Sequence, residues 1–168
     1  MEFSLADQYY LKAHDNYPYE LEVAIEQLNY ALSYDDKHAP ANCMMGKIYM
    51  FQLKDYKKAS ECFYNALLGD LNYPDTYKYY SLLRAWEGEY ERAFKIIARG
   101  LAVKGMDKAS LLLIKANIHE WKMEFIAARK VLKQAKLIAT DKCKIDYIDS
   151  SLSRLKKKMK LTKADKPI

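Results

Sequence analysis

Apolar and very small side chains recur along this chain in a fixed relation. Alanines stand at Ala24, Ala59, Ala93 and Ala128, at spacings of 35, 34 and 35 residues. Three residues before each comes Leu21, Tyr56, Tyr90 or Phe125, and four residues after each comes Leu28, Phe63, Ile97 or Leu132. Three further on stands a tiny residue: Ala31, Ala66, Gly100 or Ala135. Offsets of three and four place all these positions on one face of an α-helix. The tiny residues admit a neighbouring helix at close range, and the large ones fill the grooves beside it.

A second helix is predicted ahead of each of these. It reads APANCMMGKIYMF, PDTYKYYSLLRAW and KASLLLIKANIHEW in three successive copies, with Gly46, Ser81 and Ala116 as the small contacts, 35 residues apart. Pro40 and Pro74 fall at or just before the first turn, where a missing N–H costs nothing. The repeating unit is helix, short turn, helix, over about residues 5–38, 39–73, 74–108 and 109–141. In KCKIDYIDSSLSRLKKKMK, residues Ile145, Ile148, Leu152, Leu155 and Met159 form a narrow apolar stripe. Stacked units leave an apolar end that needs a polar-backed cap, so a capping helix is expected over 142–160, followed by a mobile basic tail at 161–168.

The second unit carries Met45-Gly46-x2-Tyr49, then Ala59-x3-Phe63, with Pro74 close after it. In these residues and in its period the chain resembles the tetratricopeptide repeat (TPR) family, over about residues 5–140. The third and fourth units depart from the signature, replacing the small-Tyr pair by Ser81 and Arg84 or by Ala116 and His119. The resemblance implies an all-α fold, a right-handed α-solenoid of stacked helix-turn-helix repeats forming one domain over 1–160. It further implies an extended concave groove lined by the first helix of each pair. Some members of the family clamp a partner's C-terminal carboxylate with Lys and Asn side chains. Lys12 and Asn16 have the spacing for this, but Cys43, Met44, Lys47 and Leu82 do not continue that set.

Aligning the units gives the groove candidates in columns: Cys43, Lys78 and Leu113; Met44, Tyr79 and Ile114; Lys47, Leu82 and Asn117; Met50, Ala85 and Glu120. A further column is aromatic in every unit: Tyr17, Phe51, Trp86 and Trp121. Two assignments of it stand open. The rings pack against the next unit as core, or they rim the groove as anchors for a peptide.

Composition narrows the function without naming a partner. Five glycines and four prolines punctuate the whole chain, as suits helices. The three cysteines, Cys43, Cys62 and Cys143, are widely spaced, which argues for reduced thiols rather than disulfides or a zinc site. The net charge of +6 is carried by residues 154–168, so it is attributed to a tail and not to a basic surface. The first residues lack the pattern of a signal peptide, and no stretch approaches the roughly 18 apolar residues of a membrane span. A cytoplasmic protein is expected.

His119-Glu120 opens like a zinc-protease motif, but Met123 stands where the second histidine belongs. No nucleophile elbow or phosphate-binding glycine loop is present. No catalytic set, metal or cofactor is therefore expected. The function expected is that of a non-catalytic protein–protein interaction scaffold or adaptor, holding a peptide or helix of another protein in the groove, with a homodimer as a further use of the same surface. The alternative is a helical-repeat protein that binds nucleic acid or an anionic surface through the basic C-terminal segment. The nearly uncharged groove disfavours nucleic acid, and the narrow stripe disfavours a membrane.

Overall fold

The structure, a computed structural model, describes residues 3–164. Among them are nine α-helices and no strand: α1 (Leu5–Asn16), α2 (Leu21–Tyr34), α3 (Ala39–Ile48), α4 (Tyr56–Gly69), α5 (Pro74–Trp86), α6 (Tyr90–Gly100), α7 (Lys108–Trp121), α8 (Phe125–Ile138) and α9 (Lys142–Ala164). The fold is all-α and solenoid-like. Where a mobile tail was expected from residue 161, α9 continues to Ala164, and residues 165–168 lie outside the described residues.

Local chemistry sets the helix ends. Ser4 and Asp7 form a reciprocal capping box at the start of α1. The Asp55 and Asp107 carboxylates accept from Lys58 N–H and Ser110 N–H and so cap α4 and α7. His38 caps α3 through Nδ1, which accepts from Ala41 N–H, while its Nε2 lies 3.0 Å from Asp7. That contact ties the start of α3 to the start of α1. The turns inside the second, third and fourth helix pairs each place one residue in the left-handed region: Lys54 (φ 57°), Gly88 (φ 78°) and Met123 (φ 60°). Only the middle one is glycine. In the second pair a π-helical turn, Tyr49–Leu53, widens the end of α3 before Lys54.

The chain divides into two compact units, Met1–Leu83 and Arg84–Ile168. In the first, α1 packs on α2, α2 on α3, and α3 on α4. The small residues do what their spacing predicts: Ala24, Ala31, Ala59 and Ala66 are fully buried. Leu28 and Phe63 fill the space beside them. Gly46 faces the Phe63 ring so closely that an added Cβ would lie 2.6 Å from Phe63 Cε1. Gly69, the last residue of α4, lies against the Lys37 carbonyl, which such a Cβ would meet at 1.7 Å.

In the second unit, α6 packs on α7, α7 on α8, and α8 on α9. Ala93, Ala128 and Ala135 are again fully buried. The period does not stop at α8. Ser151 of α9 lies 35 residues after Ala116, and both are buried. Ile148 and Leu155, from the stripe read in the sequence, are fully buried against the α8 core. Helix α9 therefore stands where the first helix of a fifth pair would stand. Three ion pairs fasten it to α7: Lys144 to the capping Asp107, and both Arg154 and Lys158 to Glu120.

Candidate binding face

In the first unit, four of the sequence candidates and the first ring of the aromatic column form one patch. The Lys47 ammonium lies 4.9 Å from the Tyr79 ring centroid and 5.9 Å from that of Tyr17. Lys78 approaches the same Tyr79 ring at 5.1 Å. Phe51 meets Tyr79 edge to face, with centroids 6.0 Å apart. All five side chains are half-buried. Helix α3 supplies Lys47, the turn that follows it supplies Phe51, and α5 supplies Lys78 and Tyr79, one helical repeat later.

Beside this patch opens a cleft of about 110 Å³, lined by Tyr10, His14, Tyr17, Lys47, Tyr73 and Asp75 among others. Burial pushes the Tyr73 hydroxyl well above the ordinary phenol range, and Tyr10 beside it adds to the effect. The phenol is therefore neutral and available as a hydrogen-bond donor or acceptor. The sequence columns missed Tyr10, Tyr73 and Asp75. Tyr10 and His14 are one helical turn apart, which was legible, but Tyr73 precedes α5 in an irregular loop with no periodic signal.

One candidate is corrected: Met50 is a core residue with no exposure, whereas Cys43 and Met44, exposed by only 2% and 5%, lie at the buried side of the cleft lining. The reason is that α3 packs against α1, α2 and α4, and the π-helical turn that carries Met50 packs against α4, so nearly all of their faces are covered. Burial also pushes the Cys43 thiol up to about 12, the state of an inert thiol. Cys62 is half-buried with its thiol raised to about 11, again by burial, and Cys143 is exposed. Leu82 is half-buried against the first unit's core.

In the second unit Leu113 and Asn117 are half-buried, whereas Trp86 and Trp121 are 43% and 46% exposed. The aromatic column is thus not uniform: Tyr17 and Phe51 pack partly into core, and the tryptophans present much of their surface to solvent. Glu120, grouped with the groove positions, is only 8% exposed. It accepts a bidentate pair of hydrogen bonds from Arg154, at 2.9 and 2.8 Å, and a third from Lys158 at 2.7 Å. Arg154 first, and then Lys158, hold its carboxyl down at about 2 against the opposing effect of burial. Two cations of the basic segment RLKKKMK are thereby committed to structure. Among the described residues, no group of three His, Cys, Asp or Glu is placed to hold a metal ion, and no helix is long and apolar enough to cross a membrane.

No protein-family model matches the sequence, and no curated protein sequence does. A solved structure does match the fold. The crystal structure of PilW, described as a widely conserved type IV pilus biogenesis factor, superposes with a TM-score of 0.73 at 17% identity, covering 93% of this chain and 80% of PilW. At that identity the likeness shows the fold, a TPR-like helical repeat. It also corrects the expected cytoplasmic placement. A fold shared with a pilus biogenesis factor removes the default on which that placement rested, and the placement is withdrawn.

Proposed function

We propose that the protein is a non-catalytic interaction scaffold that holds a peptide segment of a partner protein along its first helices, with Lys47, Tyr79 and Tyr17 at the centre of the contact. The observation that carries this is the lysine set between two half-buried tyrosine rings at the mouth of a cleft. Lysine–ring contacts of this kind contribute about 0.5–1 kcal/mol each at exposed sites. Aromatic and cationic groups already held in place lose little entropy when a ligand docks. A partner side chain carrying a carboxylate or an apolar tip suits them. In this proposal the four helix pairs are tetratricopeptide repeats and α9 is their closing helix. The PilW likeness supports a role among assembling proteins, since PilW is described as a biogenesis factor.

Selection from a displayed peptide library tests this. The intact chain should enrich a family of peptides that Lys47→Glu/Tyr79→Ala no longer holds, while circular dichroism shows the variant still folded. Identical enrichment by both proteins, or none by the intact chain, would contradict the proposal.

A further inference from the structure

The basic charge is not confined to the last residues. Residues 125–168 hold 13 Lys or Arg against four Asp, whereas residues 1–124 hold 15 against 18 Asp or Glu. Helix α8 alone carries Arg129, Lys130, Lys133 and Lys136 and no acid. Between the first turn of α8 and the last turns of α9 lies a recess of about 580 Å³, with a floor of Met123, Phe125, Ile126, Ala127 and Met159. Lys130 borders it, as does Glu124, whose carboxylate is held by His119 and Lys122, and Arg129, Lys156 and Lys160 line a smaller recess that shares Met159. Among the described residues, none of these four cations is paired with a carboxylate.

The repeat itself says what shape belongs there. Helix α9 takes the place of a fifth first helix, with Ser151 in register with Ala116. A second helix, following it as α8 follows α7, would pack on α9 and beside α8. The recess lies between those two helices, and its floor is still open: Met123 and Ile126 are 68% and 73% exposed. Met123 adds a backbone observation. It holds a left-handed conformation at φ 60°, where glycine would be unstrained, and its side chain lines the recess.

We propose that this α8–α9 recess binds an acidic amphipathic helix from another protein, seated where the second helix of a fifth repeat would lie. The apolar face of that helix covers Met123, Ile126 and Met159, and its carboxylates meet Lys130, Lys156 and Lys160. This is helix-in-groove recognition, with apolar anchors giving affinity and the charged rim giving selectivity. A copy of this chain offering its own recess is repelled, because both rims are basic. A lipid surface is flat and suits a protruding apolar group better than a recessed one.

The test uses the full chain and a designed helical peptide of 14 residues, the length of α2, α4 and α8. Leu sits at helical spacing on one face and Glu on the other, and a matched peptide carries Lys in place of Glu. The acidic peptide should bind and the basic one should not. Methyl signals of Met123, Ile126 and Met159 should shift. Lys130→Glu/Lys160→Glu, both at exposed positions, should weaken binding at the recess at least about tenfold, whereas Lys47→Glu/Tyr79→Ala should leave the Met123, Ile126 and Met159 shifts unchanged. The exposed substitution Ile126→Ser should weaken it without lowering the melting midpoint. Equal binding of both peptides, binding untouched by the rim variant, or no peptide binding would overturn the proposal. So would binding only to phosphatidylglycerol-containing vesicles, or concentration-dependent dimerisation without peptide binding.

Discussion

Glu120 of α7 accepts both forks of the Arg154 guanidinium from α9, at 2.9 and 2.8 Å, across 34 residues of chain. The carboxylate is 8% exposed, while Arg154 and Lys158 are nearly half exposed. The pair therefore anchors α9 without burying its cations. Its folded-state pKa, about 2, lies below the ordinary 4.5. A depressed carboxylate stabilises the fold above its unfolded value and loses that contribution as pH falls through the folded one. At about pH 6, Glu120→Gln should lower the unfolding free energy by about 2 kcal/mol, less than the full shift implies because the partners are solvated. The difference from the unmodified chain should shrink steadily from about pH 4.5 to pH 2. Urea melts of both proteins across that range measure it.

Two glycines are required for different neighbours. Gly46→Ala forces the buried Phe63 ring to move, and despite the helix propensity gained it should cost about 1–2 kcal/mol. Gly69→Ala meets a backbone carbonyl, which cannot swing aside as a ring can, so its cost should be about 3 kcal/mol or more. Denaturant midpoints of the two variants give the ranking directly.

Exposure separates the aromatic residues that support the fold from those that face solvent. Phe63, fully buried, should cost about 3–5 kcal/mol on replacement by Ala. Trp86, at 43% exposed, should cost about 1 kcal/mol. Thermal melts that gave the two replacements equal costs would place the Trp86 ring in the core.

The left-handed residues give a prediction of opposite sign. Lys54→Gly and Met123→Gly remove the steric cost of a side chain at positive φ, and each should stabilise the fold by about 1 kcal/mol. Met123→Gly should at the same time weaken the acidic peptide at the α8–α9 recess. A variant that melts higher and binds less separates those two roles of one residue.

Much of the fold was legible because small residues cannot be replaced where helices touch. Ala24, Ala59, Ala93 and Ala128, read as a period, are all fully buried. The same rule carried into Ser151 of α9, but there a serine hid the small position inside a polar stretch. The binding face was only partly legible. Spacing places Cys43, Met44, Lys47 and Met50 on one helix, but how many of its sides are covered depends on packing, and α3 is covered on most of them. Lys47 reaches the surface because its long chain carries the charge outward. The pairing of Glu120 with Arg154 joins residues 34 positions apart in sequence, and no local pattern announces it.

The most direct test of the scaffold proposal is an NMR titration of the intact chain with a peptide recovered by library selection. Shifts centred on Lys47, Tyr79 and Tyr17, abolished in Lys47→Glu/Tyr79→Ala while its spectrum remains that of a folded protein, are the expected result. Shifts scattered elsewhere, or saturation that survives the double substitution, would contradict it.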